Sequence, residues 1–336
     1  MKTFKHALAP VALLSSLPLA ISANAEESTS SSFQHQLSYH NVSSGFSSLF
    51  ESDNTQVINY RYYFDQVSTE TVPVALVNQL AKKSYINGSW MDKLSDKYSG
   101  LSGEYIIDDN WFIGGQLSYF DTKDHWNGQE AGALSYRING GYYFGDYTKI
   151  NVAVDYLEDD DRSSEAGAEG EYLRTILLAP GGPYRERLRG LSGIASNSLS
   201  LADTLYFESG KSKSYIYSVE ASHYLKLSEQ QGINFSGMFR YYDITSQSVE
   251  RVFGELEFSS SHDEFGVSAD WFITQRWHLG VGYHTIEIGD YDRFEDYLLQ
   301  TGYHYQFSNG IYLGADYVYD IEHSHELIYL NVGWRF

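Results

Sequence analysis

Most of the chain after residue 32 is written in twos. In residues 310–321, GIYLGADYVYDI, one parity holds Ile311, Leu313, Ala315, Tyr317 and Tyr319, and the other holds Tyr312, Gly314, Asp316, Val318 and Asp320. A period of two is the repeat of a β-strand, whose successive side chains point to opposite faces. The same rhythm predicts strands near 33–44, 54–65, 83–92, 98–108, 111–121, 131–144, 148–158, 212–227, 232–243, 260–273, 277–288, 295–307, 310–321 and 326–336. The expected fold class is therefore all-β, with about fourteen antiparallel strands.

The charged parity then assigns the faces. Asp316, Asp270, Asp155, Arg137, Arg240 and Arg61 fall opposite rows such as Val267, Ala269 and Trp271, or Ile150, Val152 and Val154. Half-apolar strands of this kind form a transmembrane β-barrel when the apolar rows face lipid and the charged rows face the lumen. A soluble sandwich would also alternate, but with its polar face outward.

The connections support closure. Asp108-Asp109-Asn110, Gly145-Asp146-Tyr147, Ser228 to Gln231, Thr274-Gln275-Arg276 and Ser308-Asn309-Gly310 read as tight turns. They alternate with longer polar stretches such as 121–130, so short periplasmic turns and long outer loops are expected, with both termini periplasmic. Two segments break this rule. Residues 66–82, QVSTETVPVALVNQLAK, stand where a turn was due and hold enough apolar sequence for a helical turn or two. Residues 159–211 form a loop of about fifty residues; a hairpin hidden there would make sixteen strands.

Composition narrows the class further. The 336 residues include 30 Tyr, 18 Phe, 6 Trp and 29 Gly but only 5 Pro. Aromatic and glycine abundance over many short strands suits a barrel. Residues 1–25 read as a signal peptide: Lys2 and Lys5, an apolar run, then Ala23-Asn24-Ala25 before the expected cleavage site. Residues 26–336 are then a single barrel domain. Without Lys2 and Lys5, 21 basic residues face 44 acidic ones, a net near −23. Such a surface excludes nucleic acid as a partner attracted by overall charge. The absence of cysteine excludes disulfides and thiolate metal sites.

Aromatic residues gather at strand ends beside the tight turns. Phe64, Trp111, Phe144, Trp271, Trp277, Phe307, Trp334 and Phe336 are the expected membrane-interface belt. The closing stretch HELIYLNVGWRF, 325–336, should pair with the first strand, with Arg335 and Asn331 inward. It resembles the last-strand signature of Gram-negative outer-membrane β-barrel proteins, which ends in Phe. That resemblance implies an outer-membrane location, lipid and lipopolysaccharide as surroundings, and recognition by the barrel-assembly machinery. Residues 57–90 are in turn similar to the N-terminal portion of the general bacterial porin family of gammaproteobacteria. Tyr62-Tyr63-Phe64, Pro73 and Val74 to Ala81 occupy the places of that family's strand end, polar link and amphipathic segment.

The expected function is a porin: a passive channel for small hydrophilic solutes, because a barrel this wide is too large for side chains alone to fill, which favours a water-filled lumen. Arg61, Glu104, Asp108, Arg137, Asp155, Glu220, Lys226, Arg240, Asp270, His304, Asp316 and Asp320 are the expected pore-lining residues. Their acidic excess implies mild cation preference. Arg185, Arg187 and Arg189, in YRERLR of the long loop, would narrow the pore if that loop folds inward. A substrate-selective channel, for oligosaccharides for example, is the alternative, and a non-transport barrel is a weaker one. A homotrimer is compatible with either channel.

Catalysis is not expected. His262-Asp263, and His323 and His325 with Glu322 and Glu326, supply atoms but no recognisable catalytic spacing. No cofactor is called for. The acidic stretch 157–171 could hold Ca²⁺, but its spacing is not that of an EF-hand, and no metal site is assigned.

Overall fold

The structure is a computed structural model that describes residues 32–43, 55–69, 72–93, 96–123, 130–160, 210–250, 254–288, 292–322 and 325–336. Its strands are β1 Ser32–Ser43, β2 Thr55–Ser68, β3 Tyr85–Lys93, β4 Asp96–Ile106, β5 Trp111–Lys123, β6 Glu130–Phe144 and β7 Thr148–Asp160. They continue with β8 Gly210–Lys226, β9 Gly232–Glu250, β10 Gly254–Phe272, β11 Trp277–Ile288, β12 Asp292–Gln306, β13 Ile311–Asp320 and β14 His325–Arg335. Each pairs antiparallel with its sequence neighbours, and β14 returns to β1, so the sheet is a closed barrel. Every strand expected from alternation is present.

Closure at fourteen follows from one pairing. β7 and β8 hydrogen-bond directly from Thr148↔His223 to Asp159↔Ser212, which leaves no place in the ring for a hairpin between them. The sixteen-strand alternative is thereby removed. The long-loop residues, including Arg185, Arg187 and Arg189, lie outside the described residues, as does the stretch 1–25 expected to be a signal peptide.

The largest boundary difference is in β9 and β10. The hairpin continues to Glu250↔Gly254, well past the expected strand ends at 243 and 260. In SQSVE and GELEFSSS the apolar parity fades, so the pattern disappears while the backbone ladder continues. Backbone pairing needs no apolar face once it has a partner strand.

Side-chain direction follows the charged-parity assignment. Leu299, Tyr303, Leu313, Val152, Val154, Val267 and Phe235 are exposed on the outer face. Outward aromatics cluster beside the tight turns: Phe64, Trp111, Phe144, Trp271, Trp277, Phe307 and Phe336 are 42–58% exposed, with Trp334 partly exposed and stacked on Phe336. Phe336 also belongs to the seam. Its carbonyl accepts from Gln34 and His35 N–H, its N–H donates to His35 O, and its ring stacks on His35.

The tight turns take the backbone forms their residues allow. Gly145 (φ 68°), Gly310 (φ 82°) and Asp109 (φ 50°) supply the positive φ values. At Gly310 a side chain would also run into the Arg335 carbonyl, so this turn requires glycine twice over.

Candidate functional site: the barrel lumen

The inward rows of seven consecutive strands carry an arc of opposite charges. On β6, Arg137 donates to Asp155 of β7 (2.9 Å) and reaches Glu220 of β8 (3.5 Å). On β9, Arg240 donates to Glu264 of β10 (3.2 Å). His284 of β11 lies between Glu264 (3.0 Å) and Asp296 of β12 (3.2 Å). Tyr242 of β9 donates a short hydrogen bond to Glu264. The side chains of Arg137, Glu264, His284 and Asp296 are 0–1% exposed. Ions buried this deeply persist only as partners, because each alone would lose its hydration without replacement.

The opposite wall is different. β1, β2, β3 and β5 turn inward the polar side chains of His40, Asn59, Asn87, Ser89, Gln116 and Ser118, none of them a carboxylate or a guanidinium. Nearer the tight turns the charge returns: Lys149 holds Glu104 at 2.7 Å, and Tyr143 donates to the same carboxylate. Arg61 lies over the Tyr85 ring, and Arg335 over Tyr312, each at 4.4 Å.

The lumen is not an open tube at its turn end. The link between β2 and β3 folds inward as a 3-10 turn, Val74–Leu76, that runs into α1, Val77–Leu80. So short a helix has no stability of its own. Tertiary contacts hold it. Val77 packs with Phe33, Tyr63, Val67 and Val72 on the near wall. Ala75 and Leu76 pack with Tyr224 of β8 and Phe272 of β10 on the far wall. Polar anchors repeat the crossing. Tyr63 donates to Asn78 (3.0 Å), Gln79 approaches Asn234 of β9 (3.5 Å), and the Val74 N–H reaches the Gln275 carbonyl (3.1 Å). In a ring of fourteen, β9 stands opposite β2, so the segment spans the bore.

Apolar side chains also meet inside. Met238, Leu298, Val318 and Leu327 form one inward cluster, and Met91, Tyr98, Ala133 and Leu157 another. Long side chains from both walls and the inturned segment thus meet inside the barrel.

Among the expected lining residues, Arg61, Glu104, Arg137, Asp155, Arg240, Asp270, His304, Asp316 and Asp320 are buried on the inner face, and Glu220 is partly buried there. Two belong elsewhere. β4 ends at Ile106, which leaves Asp108 exposed in the turn, and Lys226 is exposed where β8 ends. His262 stacks on Tyr242, and Asp263 is exposed. Glu264, His284, Asp296 and Lys149 were missed, though the parity of Asp270 counted back along β10 reaches Glu264.

A cavity remains between the inturned segment and the wall that runs from β12 through β14 and β1 to β3. It is lined by Gln36, Arg61, Asn78, Asn87, His304, Tyr312, Asn331 and Arg335, among others. These groups offer hydrogen-bond donors and acceptors beside the Tyr312 ring, with Val74 and Ala75 of the inturned segment completing the lining.

No family model and no curated protein matches this sequence. Among solved structures, the chain is similar to the outer membrane protein Omp33 of Acinetobacter baumannii, with 14% identity, 91% of this chain and 99% of that chain covered, and a TM-score of 0.48. It is also similar to the monoaromatic hydrocarbon channel CymD (10% identity, 90% and 89% covered, TM-score 0.45). The toluene transporter TbuX of Ralstonia pickettii is comparable (9% identity, 91% and 89% covered, TM-score 0.45). At this level they resemble the chain in architecture and transfer no function to it.

Proposed function

We propose that this protein is an outer-membrane channel for small hydrophilic solutes and ions, with mild cation preference. The observation that carries the reading is the inversion of polarity: the barrel is apolar and aromatic-rimmed outside, and its buried ion pairs lie on the inner face. A chain folded in water would reverse these faces. Carboxylates outnumber cations along the inner arc, where Asp155, Glu220, Glu264 and Asp296 accompany Arg137 and Arg240, and Asp270 and Asp316 add to the excess. Purified protein in a planar bilayer is expected to give discrete conductance steps, and a salt gradient a reversal potential of cation-selective sign. Absence of any steps would overturn the channel, and anion selectivity the preference.

The inturned segment favours a second reading, a channel selective for a particular neutral polar solute. The cavity it encloses offers Gln36, Asn78, Asn87 and Asn331 amides beside Tyr312, a lining suited to hydroxyl-rich ligands. Concentration-dependent block of the current by sugars would distinguish this reading from an unselective pore.

The seam supplies a further prediction. Deleting Phe336 removes its backbone bonds to β1 and its stack on His35. The yield of folded, heat-modifiable barrel is expected to fall, while those molecules that insert conduct normally. Undiminished yield would contradict a role in assembly.

A further inference from the structure

His278 of β11, His304 of β12 and Asp316 of β13 bring three ligand atoms within 4.8 Å of one another, and all three residues are buried. Both imidazoles direct Nε2 at the same carboxylate oxygen: His304 Nε2 lies 3.0 Å from Asp316 Oδ1 and His278 Nε2 lies 3.6 Å from it. In a tetrahedral zinc site with bonds of about 2.1 Å, neighbouring donor atoms are separated by about 3.4 Å. The two observed distances bracket that edge, so a metal could enter with side-chain shifts alone.

The backbone is shaped to allow this meeting. Gly302 lies between His278 and Asp316 in the register, paired with both. A side chain there would collide with the Asp316 carboxylate and with His278 Cε1. Gly314 pairs with His304, and a Cβ on it would come 2.6 Å from His304 Nδ1 and 2.8 Å from the Asn331 amide. Asn331 Oδ1 has no hydrogen-bond partner among the described residues. Turned about its amide axis, it would offer an oxygen on the side of His304 Nδ1, the outer partner that metal-bound imidazoles usually have.

We infer that His278, His304 and Asp316 form a divalent transition-metal site in the turn-end half of the lumen, with zinc-like ions as its ligands. Two imidazoles and one carboxylate suit borderline ions, whereas Ca²⁺ and Mg²⁺ prefer oxygen-only sets. The fourth position is left to water or to a solute from the cavity, because His304 lines that cavity beside Val74 and Ala75. The site stands on its own geometry and does not depend on conduction.

The test uses the full chain, refolded in detergent and stripped of metal by a chelator. Zn²⁺ titration by calorimetry is expected to show one site per chain, and Co²⁺ to give the intense visible bands of tetrahedral coordination. Asp316→Asn and His278→Gln should each weaken Zn²⁺ binding at least about tenfold and abolish the Co²⁺ bands. His223→Gln, a residue exposed on the outer wall, serves as the control and should leave both unchanged. Folding of each variant is checked by heat-dependent gel mobility. If wild type binds no Zn²⁺, or if the folded variants bind as wild type does, the cluster is only a hydrogen-bonded ion pair. Should both variants fail to fold, pulsed EPR of Cu²⁺-loaded wild type decides: two coordinated imidazoles support the site, and any other number overturns it.

Discussion

Replacing residues 72–82 with a short Gly-Ser turn is expected to raise single-channel conductance several-fold. The segment crosses the bore and is gripped on both walls, by Phe33, Tyr63 and Val67 on one side and by Tyr224 and Phe272 on the other. Pore resistance is concentrated at the narrowest region, so removing the obstruction there outweighs any change elsewhere. The barrel itself should survive, because β2 and β3 pair directly from Gln56↔Asp92 to Tyr63↔Tyr85. Asn78→Ala with Gln79→Ala is the milder form. It leaves the apolar grip in place and should produce brief openings rather than a permanently larger current. Unchanged conductance in the turn variant would show that current passes elsewhere or that the bore is limited at another level.

Glu264→Ala is expected to cause the largest loss of stability of any single inner-wall substitution, on the order of 3–5 kcal/mol. Glu264 is the partner shared by Arg240, Tyr242 and His284, and its side chain is 1% exposed. Removing it leaves the Arg240 guanidinium buried without its carboxylate, a cost that packing cannot repay. The double substitution Arg240→Met with Glu264→Leu should cost much less, since it removes both charges together. Urea titration of the folded barrel in detergent, followed by tryptophan fluorescence, measures both. A single-variant midpoint equal to that of wild type would mean that water reaches this network and screens it.

These two expectations draw on different parts of the molecule, and the sequence discloses them unequally. Strand alternation revealed the wall because period two is a local property. Asp316 against Leu313 and Ala315, or Asp155 against Val152 and Val154, needs no distant residue to assign its face. Arg137 and Asp155 could be placed inward in this way, but not paired with each other until β6 and β7 came into register. The polar ends of β9 and β10 escaped notice for the converse reason: a ladder continues through backbone bonds after the side-chain pattern has lost its apolar parity.

VPVALVNQLAK illustrates the limit. Its sequence announces a short apolar helical piece in a place where a turn was due, and that is what forms. Nothing in those residues says whether the piece lies against lipid, against solvent or across the bore. Its destination depends on Tyr224 and Phe272, about 150 and 200 positions away along the chain, which only barrel closure brings opposite β2 and β3. The same holds for His278, His304 and Asp316. Their spacing along the chain matches no metal motif, yet three adjacent strands and a glycine between them put their donor atoms together. The amino-acid order by itself determined an alternating, amphipathic sheet with defined turns, because strand faces, turn geometry and charge burial are local costs. Tertiary structure alone decided which inward groups meet and what crosses the lumen, because those contacts exist only after the fourteen strands close into a ring.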